Sequence, residues 1–185
     1  SGIPAIRIIK YEDCSFNFSF LINLGVKNAK GNLFCLLNDD LEVISPDWLE
    51  SMVELLLQSE VGAVGAKLYY PDGSIQHSGV ILGLNGLADH VEKGLQDGQG
   101  YFNRQQFVHR LSCVTAGCMA VKRSAFEGVD GFDESYPQAF NDIDFCIKLS
   151  ESGQKILWTP HAEFYHHESV SVGLPNSTTR KETFR

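Results

Sequence analysis

The strongest constraint in this chain is an apolar run that stops on carboxylates, Leu33-Phe34-Cys35-Leu36-Leu37 followed at once by Asn38-Asp39-Asp40. Acids that end a buried strand sit where a parallel α/β sheet presents its ligands, at the carboxyl edge, and clustered carboxylates there commonly hold a divalent cation. A second acidic cluster, Asn141-Asp142-Ile143-Asp144, opens what reads as a helix much later in the chain. Two such clusters point to one site, with a metal bound to phosphates and a base beside it.

The surrounding pattern supports an α/β sheet. Ile6-Arg7-Ile8-Ile9 is a short β-like run, and Phe16 to Ala29 carries apolar residues at helical spacing, ended by Gly31. Ser45-Pro46-Asp47 opens a second helix with an N-cap and a proline in the first turn, and Trp48, Met52, Leu55 and Leu56 give that helix a core stripe. Val61 to Leu68 is another apolar run. Tyr70-Pro71-Asp72-Gly73 is a turn leading into a possible strand over Ser74 to Leu82. Gly83 to Gln106 lacks periodicity and reads as a long loop with short elements, the kind of segment that is often functional. Leu111 to Val121 is apolar and small, consistent with one or two buried strands around a close approach at Gly117. Lys122 to Val129 reads as a short helix, Asn141 caps a helix running to Ser152 with Gly153 as its C′ residue, and Ile156-Leu157-Trp158 is a last short strand.

Composition narrows the partners. A net charge of −8 with scattered Lys and Arg argues against a nucleic-acid backbone or an anionic membrane surface as the main partner. No apolar run approaches the roughly 18 residues of a membrane-spanning helix. The five cysteines, Cys14, Cys35, Cys113, Cys118 and Cys146, are odd in number, show no CxxC spacing, and read as reduced core thiols of a cytosolic protein.

Each candidate residue also has a structural reading. Asn38-Asp39-Asp40 suits a turn ending a strand, and Asp142 and Asp144 suit a helix N-terminus, where the macrodipole favours acids. His77, His90, His109 and His161 read as structural side chains, and Cys118 as pocket or core rather than nucleophile.

Several ordered motifs carry a resemblance. Phe16-Asn17-Phe18-Ser19, Leu36-Leu37-Asn38-Asp39-Asp40-Leu41-Glu42-Val43, Pro46-Asp47-Trp48-Leu49, Gly62-Ala63-Val64-Gly65-Ala66-Lys67-Leu68 and Asp72-Gly73-Ser74-Ile75-Gln76-His77-Ser78-Gly79 are followed by Thr115-Ala116-Gly117-Cys118, Gly131-Phe132-Asp133-Glu134, Asn141-Asp142-Ile143-Asp144-Phe145-Cys146 and His166-His167-Glu168-Ser169. In this order they resemble family 2 glycosyltransferases of the GT-A fold, most closely the bacterial rhamnosyltransferase-like branch. The resemblance implies an α/β, Rossmann-like mixed sheet flanked by helices. It also implies transfer from a nucleotide-diphosphate sugar to a saccharide or other hydroxyl acceptor, with inversion, using Mg²⁺ or Mn²⁺.

The same resemblance assigns roles. Asn38-Asp39-Asp40 matches the family's DxD motif, with Asn38 in the first acid's place, Asp39 near the sugar or ribose, and Asp40 the direct metal ligand. Asp142 matches the general base, and His166 matches a histidine that reaches the metal or diphosphate, with His167 adjacent. Gly117, Cys118 and Asn141 match residues of the acceptor or sugar pocket. The family's opening strands, which bind the nucleotide base, have no counterpart here. The expectation is therefore a partial GT-A domain over 1–173, missing the first nucleotide-binding strands, and a polar C-terminal tail over 174–185. A sheet cut there exposes an edge, which implies self-association along that edge or covering by the chain's own loops. Relatives extend cell-surface polysaccharides from the cytoplasmic side, which implies a cytoplasmic location at the inner face of the membrane. Two other readings use the same residues. One is a non-catalytic sugar- or partner-binding module on this fold, and the other a metal-dependent phosphohydrolase, which would want more clustered ligands for a second metal.

Overall fold

The computed structural model describes residues 6–11, 15–98 and 100–167. Cys14, Glu168, Ser169 and the expected tail over 174–185 lie outside the described residues.

The first helix, α1 (Phe18–Asn28), begins where Asn17 accepts the Phe20 N–H at 3.0 Å, a side-chain cap that satisfies one of the orphan donors of the first turn. It leads into β1 (Leu33–Leu37), then after the Asn38–Asp40 turn into β2 (Leu41–Val43), α2 (Trp48–Leu56) and β3 (Val61–Tyr69). α2 starts at Trp48 with Asp47 as its cap position, so the Ser45-Pro46 pair precedes the helix instead of opening it. The stretch expected as one strand over Ser74 to Leu82 is two, β4 (Ile75–His77) and β5 (Val80–Leu82), divided at Gly79, whose φ of +97° breaks an extended run. Gly83 to Gln106 holds β6 (Ala88–His90) and two 3₁₀ turns, and then come β7 (His109–Arg110), β8 (Cys118–Lys122), α3 (Arg123–Gly128) and α4 (Asn141–Glu151). α4 ends in a Schellman motif, with Gly153 at φ +88° and bonds from Gly153 N to Ser150 O and from Gln154 N to Leu149 O. The last strand, β9 (Lys155–His166), runs far beyond the three residues expected of it. Residues 6–9 form no strand, and Ile6 and Ile8 are 87% and 83% exposed.

One mixed sheet runs in the order β1-β8-β3-β9-β2, with β4 added on β3 and β7 on β9, while β5 and β6 form a separate hairpin. β3 and β9 are parallel, and the other pairs are antiparallel. Side chains alternate across the sheet with period two. Phe34, Leu36, Met119 and Val121 face a core built with Val26 of α1, Phe126 of α3 and Phe145 and Leu149 of α4. Val64, Ala66, Leu68, Cys118 and Ala120 face Met52 and Leu56 of α2 on the other side. An aromatic stack of Phe132 on Phe145, ring centroids 4.6 Å apart, anchors α4 against this first core.

β9 bulges between its pairings of Trp158 with Gly65 and of Glu163 with Lys67. Ile156 and Trp158 belong to the first core, but Ala162 and Phe164 belong to the second, so the bulge turns the same strand face toward the opposite layer. Beyond the bulge β9 carries β2, with Leu41 opposite His166. Leu37 and Leu41 are separated by four steps of chain, at most about 14 Å when extended, so the end of β9 must lie near the end of β1.

β1 is the outermost strand on its side and pairs through one edge only, with β8. Among the described residues no strand occupies its other edge, and a groove of about 430 Å³ lies there, lined by Leu21, Ile22 and Val26 of α1 and by β1 itself.

The close approach expected at Gly117 is absent there, whereas at Gly65 an added Cβ would fall 2.4 Å from the Val114 Cβ. Gly65→Ala should therefore destabilise the chain by about 1–3 kcal/mol through overpacking, read as a lower denaturant midpoint with unchanged slope.

Candidate functional site

β1 ends on the pair Leu37 and Cys118, and the ladder continues one step further, with Asn38 N donating to Gly117 O at 2.9 Å. The chain then turns through Asp39, which is exposed, to Asp40, whose carbonyl accepts the His167 N–H at 3.0 Å. That bond extends the β2 and β9 pairing and fixes His166 above the turn. His166 Nε2 lies 3.0 Å from Asp40 Oδ1 and 3.3 Å from Asn38 Nδ2. His167 faces outward and meets Glu42 at 3.1 Å, so of the two adjacent histidines it is His166 that enters the site.

Gln76 of β4 orients the ring. Its Oε1 lies 2.6 Å from His166 Nδ1, and its Nε2 donates to the His166 carbonyl at 3.3 Å. An amide oxygen only accepts, so Nδ1 carries the proton, and in the neutral ring the lone pair sits on Nε2, toward Asn38 and Asp40. Asp40 Oδ1 is shielded from solvent and has no hydrogen bond. With the ring neutral, a carboxylate oxygen and an imidazole lone pair converge, an arrangement that a shared cation relieves; with the ring protonated, the same 3.0 Å contact is an ion pair. Among the described residues no three His, Cys, Asp or Glu side chains cluster as a full metal cage. Two protein donors with the remainder from phosphates and water is the usual way a hard divalent cation is held beside a diphosphate, so the residues fit such an ion.

The second acidic cluster reaches the same segment from the opposite side. Asp142, half-buried in the first turn of α4, accepts the Ala116 N–H at 3.3 Å and the Ile143 N–H at 2.9 Å. Burial pushes its carboxyl above the usual aspartate value, while the Ala116 N–H, the Thr115 hydroxyl and the Ile143 N–H pull partly back. Thr115 Oγ1 also accepts the Gly117 N–H at 3.3 Å. Thr115-Ala116-Gly117 therefore binds Asn38 at one end and Asp142 at the other.

A Cβ added at Gly117 would meet nothing nearer than Asn38 Nδ2 at 3.6 Å and His166 Cε1 at 3.7 Å, so this glycine opens onto the Asn38, Asp40 and His166 group.

Two sequence candidates lie elsewhere. Cys118 is fully buried in the core against α2, where contact with Cys35 and burial keep its thiol protonated, so it forms no pocket wall. Asn141 is 5% exposed and gives its Oδ1 to the Asp142 N–H at 2.7 Å; it shapes the helix start and presents no amide to a pocket. Asn141 is also the first helical residue, with Phe140 at φ +65° in the cap position, so it does not cap α4 as expected. Asp144 pairs with Lys148 one turn along the helix at 3.1 Å. Sequence reasoning missed Gln76. Its signal was present in the alternation of β4, but only the neighbouring strand reveals what it faces.

The model of glycosyl transferase family 2 matches residues 8–129. The O-antigen biosynthesis protein RfbC of Myxococcus xanthus is 35% identical over 89% of the chain, which spans 13% of that protein. An N-acetylglucosaminyl-diphospho-decaprenol L-rhamnosyltransferase of Mycobacterium tuberculosis is 28% identical over 71% of the chain, which spans 48% of it. The solved structure of GalNAc-T7 with UDP, GalNAc and Mn²⁺ superposes with a TM-score of 0.62 at 16% identity, covering 82% of this chain and 30% of that one. The chain thus spans less than half the length of these relatives. Its mixed sheet and flanking helices share the GT-A architecture, and the chain belongs to glycosyl transferase family 2.

Proposed function

We propose that the protein carrying this chain is a metal-dependent, inverting glycosyltransferase that moves a sugar from a nucleotide-diphosphate donor to a saccharide or other hydroxyl acceptor, in polysaccharide synthesis. The observation that supports it most is that one three-residue segment contacts both acidic clusters, through Gly117 O to Asn38 and Ala116 N to Asp142. That ties the Asn38–Asp40 turn and the buried Asp142 carboxylate to one segment, which supports a division of labour between a cation side and a base side, as group transfer to a hydroxyl requires.

Asp40 and His166 would hold the cation, with Gln76 keeping the His166 lone pair aimed at it. A divalent cation there would act as a Lewis acid that offsets charge on the departing nucleoside diphosphate. Because imidazole is a softer donor than Mg²⁺ prefers, Mn²⁺ is the better fit. Asn38 lends its amide to the same group, and Asp39, exposed at the turn, faces outward where donor sugar or ribose would lie. Asp142 takes the acceptor proton. Burial raises its carboxyl above the ordinary aspartate range and so makes it more basic, while the N–H groups it accepts favour the ionised form. The rhamnosyltransferase and O-antigen names of the relatives support a deoxyhexose or hexose donor and a saccharide-bearing acceptor. No helix among the described residues is long and apolar enough to cross a membrane.

The tests separate the two roles. Asp142→Asn in the complete polypeptide should lower turnover by about 10²–10⁴-fold with donor binding retained. Asp40→Ala should abolish the Mn²⁺ dependence of nucleoside diphosphate binding measured by calorimetry. Retained transfer in both variants would defeat the assignment.

The Asp142 carboxyl also predicts a pH dependence. The folded chain binds this proton more tightly than the unfolded chain, so the group's contribution to stability is present below the ordinary aspartate value of about 3.9 and is lost as pH rises through the higher folded value. Turnover has the opposite sign, falling as pH drops through that folded value. Carbon NMR of the carboxyl should give a midpoint above the ordinary range that coincides with the acid limb of kcat/KM.

The open β1 edge supports self-association of the chain when it is isolated. Sedimentation should show a concentration-dependent mass, and a species that stays monomeric at all concentrations would oppose this.

A further inference from the structure

A fully buried histidine lies behind the Thr115 to Gly117 segment. His77, at the end of β4, is 0% exposed, yet both its ring nitrogens are engaged. Its Nε2 accepts the Thr115 N–H at 3.3 Å, and its Nδ1 lies 2.8 Å from Nδ1 of His90. We propose that His77 is a positioning residue for the base, holding the Thr115 backbone so that the Ala116 N–H and the Thr115 hydroxyl meet the Asp142 carboxylate. The proposal rests on the reading of Asp142 as that base.

The proton accounting admits one arrangement. A backbone N–H can only donate, so Nε2 carries the lone pair and the ring proton sits on Nδ1. That proton points at His90 Nδ1, which accepts it, and the two rings meet edge to face with centroids 5.0 Å apart. Burial, and the nearby His90 and His166, keep His77 neutral, consistent with this tautomer. The ring therefore acts as a fixed strut with one acceptor, and the acceptor is what the Thr115 backbone needs. Without it the Thr115 N–H would be left unpaired in a closed interior, and the segment would shift to find a partner. Such a shift acts on both ends of the segment, but differently. At Gly117 the Asn38 bond continues a β ladder and resists displacement, whereas the segment's hold on Asp142 is the 3.3 Å Ala116 N–H bond and the Thr115 hydroxyl, neither of them part of a ladder. The base is the end that moves.

Neighbouring Gln76 performs the matching service for His166. Consecutive residues of one short strand point to opposite faces, so β4 supports the cation side with one side chain and the base side with the next.

Two polar substitutions test this without emptying the core. His77→Gln can place an acceptor near the Nε2 position, whereas His77→Asn reaches only the Nδ1 position. In the complete polypeptide, His77→Asn should lower kcat by about 100-fold, the scale of a misplaced catalytic group, with the donor KM unchanged, and His77→Gln should restore most of it. Amide hydrogen exchange supplies a readout free of turnover. Thr115 and Ala116 should exchange faster in His77→Asn than in wild type or His77→Gln, while Val64 in β3 and Phe145 in α4 stay equally protected in all three. Equal loss or equal retention of kcat and protection by the two variants overturns the proposal. If the unaltered polypeptide transfers no sugar from any donor, the glycosyltransferase reading fails, and the exchange comparison still decides whether His77 holds the segment.

Discussion

The site depends on the backbone of three residues, Thr115, Ala116 and Gly117. Their N–H and C=O groups lie outside regular secondary structure but inside the protein, where each must find a partner. The Gly117 carbonyl finds one in Asn38, the Ala116 N–H in Asp142, and the Thr115 N–H in His77. Those three partners come from the β1 end, the α4 start and β4, so satisfying one short stretch of main chain draws three remote parts of the sequence together. The surrounding core makes the arrangement rigid. β8, which follows the segment, sits between β1 and β3, and α4 is clamped where its Phe145 packs against Phe126 and Phe132.

A second device, the β9 bulge, completes the cation side. A strand without it would keep its even-numbered residues toward the first core throughout, and the pairing of Leu41 with His166 would lose its register. The bulge instead turns the strand across the sheet end, so that β2 can pair there only a short turn after β1. His166 thereby meets Asp40, although the two lie at opposite ends of the chain. Pro160 sits inside this irregular stretch, where a residue without an N–H costs no ladder bond.

Much of this was legible in residue order. The apolar run into Asn38-Asp39-Asp40, the α1 stripe, the Tyr70 to Gly73 turn and the end of α4 before Gly153 all follow local rules of burial period, turn chemistry and capping, and each element stands within a residue or two of its expected place. Motifs in family order single out Asp40, His166 and Asp142 as candidates, and the structure brings Asp40 and His166 together. The misreadings have a common cause. Ile6 to Ile9 has a strand's composition but no partner strand among the described residues, and Cys118 follows a site glycine but points into the core because side chains alternate along β8. Ile156 to Trp158 looked like a complete strand because Thr159-Pro160 resembles an ending, while tertiary pairing with β3 and β2 carries it on to His166.

Local sequence thus determined the elements, the sheet class and the identity of the acids at its edge, since each is set by neighbours a few residues away through dihedral preference and hydrophobic period. Only the tertiary structure decided which histidine enters the site, that Gln76 aims it, and that buried His77 braces the segment between the two acidic clusters. Those are relations between hydrogen-bonding groups on separate strands. A side chain's donor or acceptor becomes meaningful only when packing removes water and leaves it one partner to satisfy.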